Sequence, residues 1–554
     1  MDRTAIKERV RKLRNDGIEW KSWNEQTYEI LGAEPLSNKY RRSFEKPFPI
    51  ALISLFSVEN IGIRYLYAFL KEAGYDVDLI FLKEFATNSF QMPSEAELEL
   101  LFERFRERDY QLIGLGARSG YMKFCVELTE RIHNELEVPV VWGGTVGTVT
   151  PELCIQGGAD YAIRHEGEAA TAQLITCLAT DGDPSTISNI WYRGGNGEPV
   201  GNNLENLIPS LDVLPMQDLE DDNKCFIEFG KLTEGDPWRD LVKFETLTAR
   251  GCPYKCSFCI HSQLVKLEKG LGKSVRGASV EKIMRELEYA MAKLPSMRSI
   301  FFVDEVFGTG MPWTREFAKV YPERVALPFE VAIDPRALND EKVGLLIRSG
   351  MAELNMGIQT GSEKLRAELF DRPVSDEKLL GVAHLMKKNK VFTRYDIIVD
   401  NPWETTEDKR KTLDVLLQLP HPFILNMFSL NWFPKTGLTE RAIEEGVIDD
   451  SQVAGQSEKS LTQFAVSFDY PRSKEDMFWN ALFSMTSKSF IPRWFIRALA
   501  RTTLVKEYPR IAVAVARTSS LVRLFFAGIR LLWEGRIGLD TARKYSRSVR
   551  SITR

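Results

Sequence analysis

Cysteine is scarce in this chain: seven among 554 residues, too few and too irregularly spaced for a disulfide scaffold. Only one stretch of about 20 residues, 415–434, is free of Asp, Glu, Lys and Arg, and Pro420, Pro422 and Pro434 interrupt it, so a conventional transmembrane helix is not expected. The first residues, MDRTAIKERVRKLRNDGIEW, lack the apolar segment of a signal peptide and read as a charged helix, so secretion is not expected either. Internal repeats and low-complexity tracts are absent. What is present, 44% hydrophobic and 27% charged residues, excludes a disordered or fibrous chain. At roughly 150 residues per domain the length suggests about three or four units.

Three of the cysteines, Cys252, Cys256 and Cys259, crowd into eight positions, which favours a metal site in a reducing compartment. The other four, Cys125, Cys154, Cys177 and Cys225, are scattered and read as small buried apolar residues.

The pattern along the chain is α/β. Residues 1–46 read as a helical extension. From 47 to 185, short apolar runs (PIALISLF, DVDLIFL, YQLIGLGA, VPVVWGG and the strand within GADYAIRHEGE) alternate with amphipathic helical stretches, which implies a parallel sheet covered on both faces. Residues 186–243 read as a hairpin around Gly-Asn-Gly followed by an acidic linker. A second alternating series fills 244–440, with strand candidates FETLTA, SIFFVDEVF, FEVAIDP, ELNMGIQ, TRYDIIVD and ILNMFSLNWF. Six β/α units suit a partial barrel, whose working face lies at the C-terminal strand ends. Residues 441–554 read as mainly helical and basic.

ARGCPYKCSFCIHS carries the chemistry. Its C-x-x-x-C-x-x-C spacing lets one short loop hold three irons of a 4Fe–4S cubane and leaves the fourth iron without a protein ligand. That open iron can bind the amino and carboxylate groups of S-adenosylmethionine, and an electron passed to the sulfonium then releases a 5′-deoxyadenosyl radical. A zinc site is the competing reading; it normally wants four ligands, and only His261 stands near enough to be the fourth.

With these residues the sequence resembles the radical S-adenosylmethionine superfamily. The resemblance places Phe258 near the adenine, and Asp304 and Glu305 as the acidic pair at the end of the second barrel strand. GIQTGSEKL resembles the family's fourth-strand Gly-x-Glu-Ser-Gly-Ser segment, with Gln359 and Thr360 in place of its Glu and Ser; DIIVDNPWET resembles the fifth-strand segment ending Pro-x-Glu-Thr. It implies that Phe258, Asp304, Glu305, Gln359, Ser362, Asp396 and Glu404 contact S-adenosylmethionine.

An α/β domain directly before such a barrel is similar to the cobalamin-binding subgroup of that superfamily. The resemblance implies a Rossmann-like cobalamin domain gripping the corrin and its tail through SLFSVENIG, ARSG, WGGTVGTVTPE and RHEGE, and so through Ser57, Arg118, Ser119, Gly143, Gly144, Thr145, Glu166 and Gly167. By composition alone an ordinary nucleotide-binding or structural domain fits as well. The Asp-x-His-x-x-Gly signature is missing, and neither His133 nor His165 stands where a lower axial ligand would come from, so cobalamin is expected to bind without histidine ligation. By the same resemblance Arg118 faces the lower axial position, where a guanidinium has no lone pair to give cobalt.

Charge is uneven. The net charge is −4, but from Lys488 onward 15 Lys/Arg stand against Glu507, Glu534 and Asp540, a local balance of about +12. In 491–537, arginines at 493, 497, 501, 510, 517, 523 and 530 form roughly one helical stripe in an apolar setting that includes Trp494 and Trp533. This pattern suits an interfacial surface meeting a membrane or lipidic substrate, and equally a helical cap on the barrel. Nucleic-acid binding is not expected.

The expected protein is a cytoplasmic, membrane-peripheral, cobalamin-dependent radical enzyme. It would methylate an unactivated carbon of a small-molecule or lipid-like substrate through methylcobalamin and draw electrons from an external donor. The alternatives are a cobalamin-dependent cyclase or rearrangement enzyme, and a non-enzymatic cobalamin or redox sensor.

Overall fold

The structure, a computed structural model, describes residues 3–84, 92–308, 310–453 and 472–533. Its first sheet is built on β1 (Ile50–Leu55), β2 (Val77–Leu82), β3 (Leu112–Gly116), β4 (Val140–Gly143) and β5 (Tyr161–Ile163), all parallel. β1 and β2 are buried along their whole length, as apolar runs covered by helices on both faces must be. β1 lies between β3 and β2, so the chain leaves β1 on one side and returns on the other. This reversal opens a crevice at the C-terminal ends of β1 and β3.

The segment 186–243 is more than the expected hairpin and linker. β6 (Ile190–Arg193) and β7 (Pro199–Gly201) form the hairpin and pair onto β5, while β8 (Lys224–Glu228) runs parallel to β2 and turns back into β9 (Lys231–Glu234). Both edges of a nine-stranded sheet are thereby supplied from after the domain's expected end. Strands this short and charged leave no apolar run in the sequence; long-range pairing decides them.

The second sheet holds β10 (Lys243–Thr246), a partial barrel's first strand, with a small antiparallel pair, β11 (Ala249–Arg250) and β12 (Arg276–Gly277), beside it. The other barrel strands are β13 (Ser299–Phe302), β14 (Phe329–Ala332), β15 (Met351–Gln359), β16 (Phe392–Val399) and β17 (Phe423–Ser429). All six barrel strands are parallel neighbours in chain order. On β16, Thr393, Tyr395, Ile397 and Val399 are buried, and the alternate residues Arg394, Asp396 and Ile398 share the other face.

The N-terminal extension ties the two units together. On the helix Trp20–Leu31, Trp23 Nε1 donates to the Arg285 carbonyl of the barrel at 3.0 Å, and Tyr28 donates to Glu72 of the first domain at 3.1 Å. At the other end, the helix Lys474–Thr486 packs on the barrel, with Lys409 2.7 Å from Asp476, and carries the helix Arg510–Trp533. Among the described residues no helix is long and apolar enough to cross a membrane.

Candidate active site

The cysteine loop leaves β11 through Gly251, whose φ of +89° and proximity to the Ser274 carbonyl, which a Cβ would strike, admit no other residue comfortably. Beyond it, Cys259 N–H donates to the Cys256 carbonyl at 2.9 Å, Ser257 N–H to Phe370 at 3.0 Å, and Leu438 N–H to Ser257 at 3.0 Å. The loop is thus fastened to two barrel segments far along the chain. Burial pushes the Cys252 thiol up to about 11 and the Cys259 thiol up to about 12, so both are protonated in the free protein and would release their protons on binding iron. Among the described residues no three His, Cys, Asp or Glu side chains converge on one point as they would around a single ion. A cubane does not require it, because each thiolate takes a different iron. Three thiols on one anchored loop are the donor set it does require.

Facing this loop is a cavity of about 460 Å³ shared by the two domains. One wall is the crevice of the first sheet: Asn60 and Gly62 after β1, Gly116–Arg118 after β3, Gly143–Thr145 after β4, and His165–Glu168 after β5. The other wall includes Arg250, Gly251, His261 and Glu305. Gly144 has φ +91°, and a Cβ there would stand 2.9 Å from the Ala117 carbonyl, so the β3 and β4 loops touch backbone to backbone. Walls without side chains at a topological switch point suit a large cofactor with a nucleotide tail.

The expected cobalamin residues divide. Arg118, Gly143, Gly144, Thr145, Glu166 and Gly167 line the cavity, whereas Ser57 and Ser119 are not among its lining residues. The Ser57 carbonyl accepts from Ser54 Oγ at 2.6 Å, which folds that turn back on its own strand. Glu166 is already engaged: it accepts from Arg250 at 2.9 Å, Arg276 at 2.6 Å and the Ile208 N–H at 2.7 Å. Burial raises its pKa, but the two guanidiniums outweigh that and leave it below the ordinary carboxylate value. Glu168 pairs with Arg250 as well. Glu166 therefore joins the domains at the cavity wall. His165 does reach the cavity, with Nε2 2.8 Å from Glu268; His133 pairs with Asp160 at 2.9 Å and lines no part of it.

The expected S-adenosylmethionine residues divide too. Asp304, 3% exposed, accepts from Thr248 N–H at 3.0 Å and from its Oγ at 2.6 Å, and burial pushes its carboxyl up to about 6. Ser362 is fully buried, caps the helix Glu363–Glu368 and donates to Asp408 at 2.7 Å. Glu404 accepts from Thr360 at 2.9 Å, and burial pushes it up to about 7. These three clamp strand ends to one another. Four remain closer to open space: Glu305 on the cavity, 2.8 Å from His261 Nε2; Phe258, edge-on to Phe370; Gln359, with φ +69° at the end of β15; and Asp396, half-buried, accepting from Asn426 at 2.8 Å. Burial raises the Asp396 carboxyl above its ordinary value.

Sequence reasoning missed a chain of charges beside the cluster loop. Asp334 accepts from Arg336 at 2.9 and 3.0 Å and lies 2.7 Å from Arg372, which also donates to the Gly357 carbonyl at 2.7 Å. Its signal was the Asp-Pro-Arg that follows the third barrel strand. Three further polar pairs cross between barrel strands: Lys243 with Glu330 at 2.8 Å, Asn355 with Glu330 at 2.7 Å, and Arg394 with Glu353.

Two family models match the chain, the B12 binding domain over residues 51–175 and the radical SAM superfamily over residues 246–416. The chain belongs to the cobalamin-binding radical S-adenosylmethionine enzymes. The enzyme's cofactors are accordingly a 4Fe–4S cluster, S-adenosylmethionine and cobalamin. Among curated proteins it is similar to an uncharacterized methyltransferase of Pyrococcus horikoshii, 24% identical over 70% of this chain and 79% of that one. It is also similar to the hopanoid C-3 methylase of Methylococcus capsulatus, 25% identical over 70% of each. The fold is shared with TsrM from Kitasatospora setae, a radical S-adenosylmethionine methyltransferase solved with cobalamin and a 4Fe–4S cluster: TM-score 0.59, 16% identity, 86% of this chain and all of that one.

Proposed function

We propose that this enzyme methylates an unactivated carbon of a small-molecule or lipid-like substrate. When bound, the cluster and S-adenosylmethionine supply a hydrogen-abstracting adenosyl radical, and cobalamin supplies the methyl group. The observation that carries this reading is the shared cavity, in which Gly143–Thr145 face a wall formed by Gly251, His261 and Glu305 around the cysteine loop. Gly143 and Gly144 leave room for a bulky cofactor, Arg118 offers positive charge without a lone pair, and Cys252, Cys256 and Cys259 hold the cluster at the cavity's other side. Phe258, Glu305, Gln359 and Asp396 are the residues proposed to meet S-adenosylmethionine. The named substrate of the hopanoid methylase supports a lipid-like molecule as one substrate class.

The proposed setting is cytoplasmic, with an external electron donor and a peripheral membrane contact through 491–537, of which 534–537 lie outside the described residues. Over 491–522 the segment has one face on the protein, through Ile496, Val505, Ala512, Val513 and Ala516. The other face exposes Trp494 (70%), Leu504, Tyr508 and Ile511 among exposed Arg493, Arg497, Arg501, Arg510 and Arg517. Apolar side chains ringed by arginine suit the headgroup boundary of an anionic bilayer.

Product mass tests the chemistry. Incubation of the reconstituted enzyme with candidate apolar substrates and methyl-labelled S-adenosylmethionine is expected to place the label in the product. A product changed in connectivity but unlabelled would favour the cyclase or rearrangement reading instead.

A further inference from the structure

The three cluster thiols differ in their surroundings. Cys256 is the most buried, 7% exposed, and among the described residues it receives a guanidinium: Arg336 Nη2 donates to its Sγ at 3.3 Å. Arg336 comes from outside the cysteine loop, on the short turn Pro335–Ala337 after β14. Nε and Nη2 of its fork rest on the two oxygens of Asp334, at 2.9 and 3.0 Å, and its plane lies over the ring of Tyr254, 3.7 Å from the centroid. Tyr254 stands between the first and second cysteines, so one side chain grips the loop at two points. Asp334 is held in turn by Arg372 at 2.7 Å, which leaves this group of three with one net positive charge beside Cys256.

We propose that Arg336 is a positioning residue of the cluster, which aims the Cys256 thiolate and raises the reduction potential of the bound cubane. The inference rests on the cluster reading of Cys252, Cys256 and Cys259. Reduction adds one electron, taken from the external donor, and makes no bond in the protein. The added negative charge strengthens the N–H···S bond and its attraction to the guanidinium, so the reduced form gains more than the oxidised form does. Solvent screens this little, because only 17% of the Arg336 side chain is exposed. The fork matters as well as the charge: Nη2 serves Asp334 and Cys256 together, which the single ammonium of lysine cannot reproduce with the same geometry.

The test uses the full-length chain, reconstituted anaerobically, as wild type, Arg336→Met and Arg336→Lys. Iron content, a redox titration followed by electron paramagnetic resonance, and the Fe–S(Cys) stretching frequencies are read for each. Expected are about four irons in all three, and a Met variant whose one-electron reduction equilibrium falls tenfold or more, a shift of about 59 mV to more negative potential. The Lys variant should fall between, and loss of the N–H···S bond should move the Fe–S(Cys) bands. A Met variant with iron, potential and bands like the wild type overturns the proposal. If Met loses its iron, Lys decides: iron retained at a more negative potential supports the role, while a wild-type potential, or iron lost there too, reduces Arg336 to a strut of the fold. A wild type that takes up no iron would bring down the cluster reading itself, and this inference with it.

Discussion

Glu166 and Arg250 meet at 2.9 Å across the domain boundary, the first from the cobalamin-side loop after β5 and the second two residues before the first cluster cysteine. Arg276 at 2.6 Å from Glu166, and His165 against Glu268 at 2.8 Å, complete a polar seam along one edge of the cavity. The loop after β5 thereby holds the segment that leads into the three-cysteine loop.

This seam makes the two partners unequal. Arg250→Met removes the cation that serves both Glu166 and Glu168, and leaves Glu168, 4% exposed, a buried carboxylate without its counter-ion. Breaking such a pair from one side costs about 3 kcal/mol. Glu166→Gln leaves Arg250 on Glu168 and is expected to cost roughly half as much. Denaturant unfolding of both variants checks the order; an equal loss would mean that the Glu168 contact contributes nothing.

Gly144→Ala is expected to weaken cobalamin binding at least tenfold and to lower stability by about 1 kcal/mol, because the new Cβ meets the Ala117 carbonyl in a left-handed backbone. His133→Ala and His165→Ala should both leave the spectrum of bound cobalamin free of any change in nitrogen axial ligation. Equilibrium titration and absorption spectra decide. A nitrogen-ligated spectrum abolished by His165→Ala would assign the axial ligand to a histidine after all.

Glu404 predicts a pH dependence of stability. Burial raises its folded pKa from 4.5 to about 7, so between those values the folded state binds the proton and the unfolded state releases it. The stability that this group contributes is whole below pH 4.5 and is lost as pH rises through 7. Glu404→Gln should therefore flatten the fall in melting temperature between pH 5 and pH 7.5. An unchanged slope would show that the carboxyl is ionised in the folded protein at neutral pH.

Membrane contact should be electrostatic in part. Replacing Arg497, Arg501, Arg510 and Arg517 with Gln is expected to weaken binding to anionic vesicles by on the order of 1 kcal/mol per residue, with the effect fading at high salt. Vesicle sedimentation checks it, with circular dichroism to confirm folding. Absence of wild-type binding at low salt would return these helices to the role of a barrel cap.

Local signals account for what the sequence determined by itself. Strand and helix alternation, the C-x-x-x-C-x-x-C spacing and the glycines of WGGTVG depend on neighbours a few residues away, so the two α/β units, the three-cysteine loop and the cavity-lining Gly143 and Gly144 were legible from residue order. Tertiary structure decided whatever depends on which distant groups meet. It paired β8 with β2, and it set Asp304, Ser362 and Glu404 against Thr248, Asp408 and Thr360. It also set Glu166 on Arg250 and brought Arg336, 80 positions along the chain, to Cys256. A carboxylate or guanidinium looks the same in sequence whether it faces a ligand or a buried partner; burial and the charge beside it make the difference, and both arise only when the chain closes on itself.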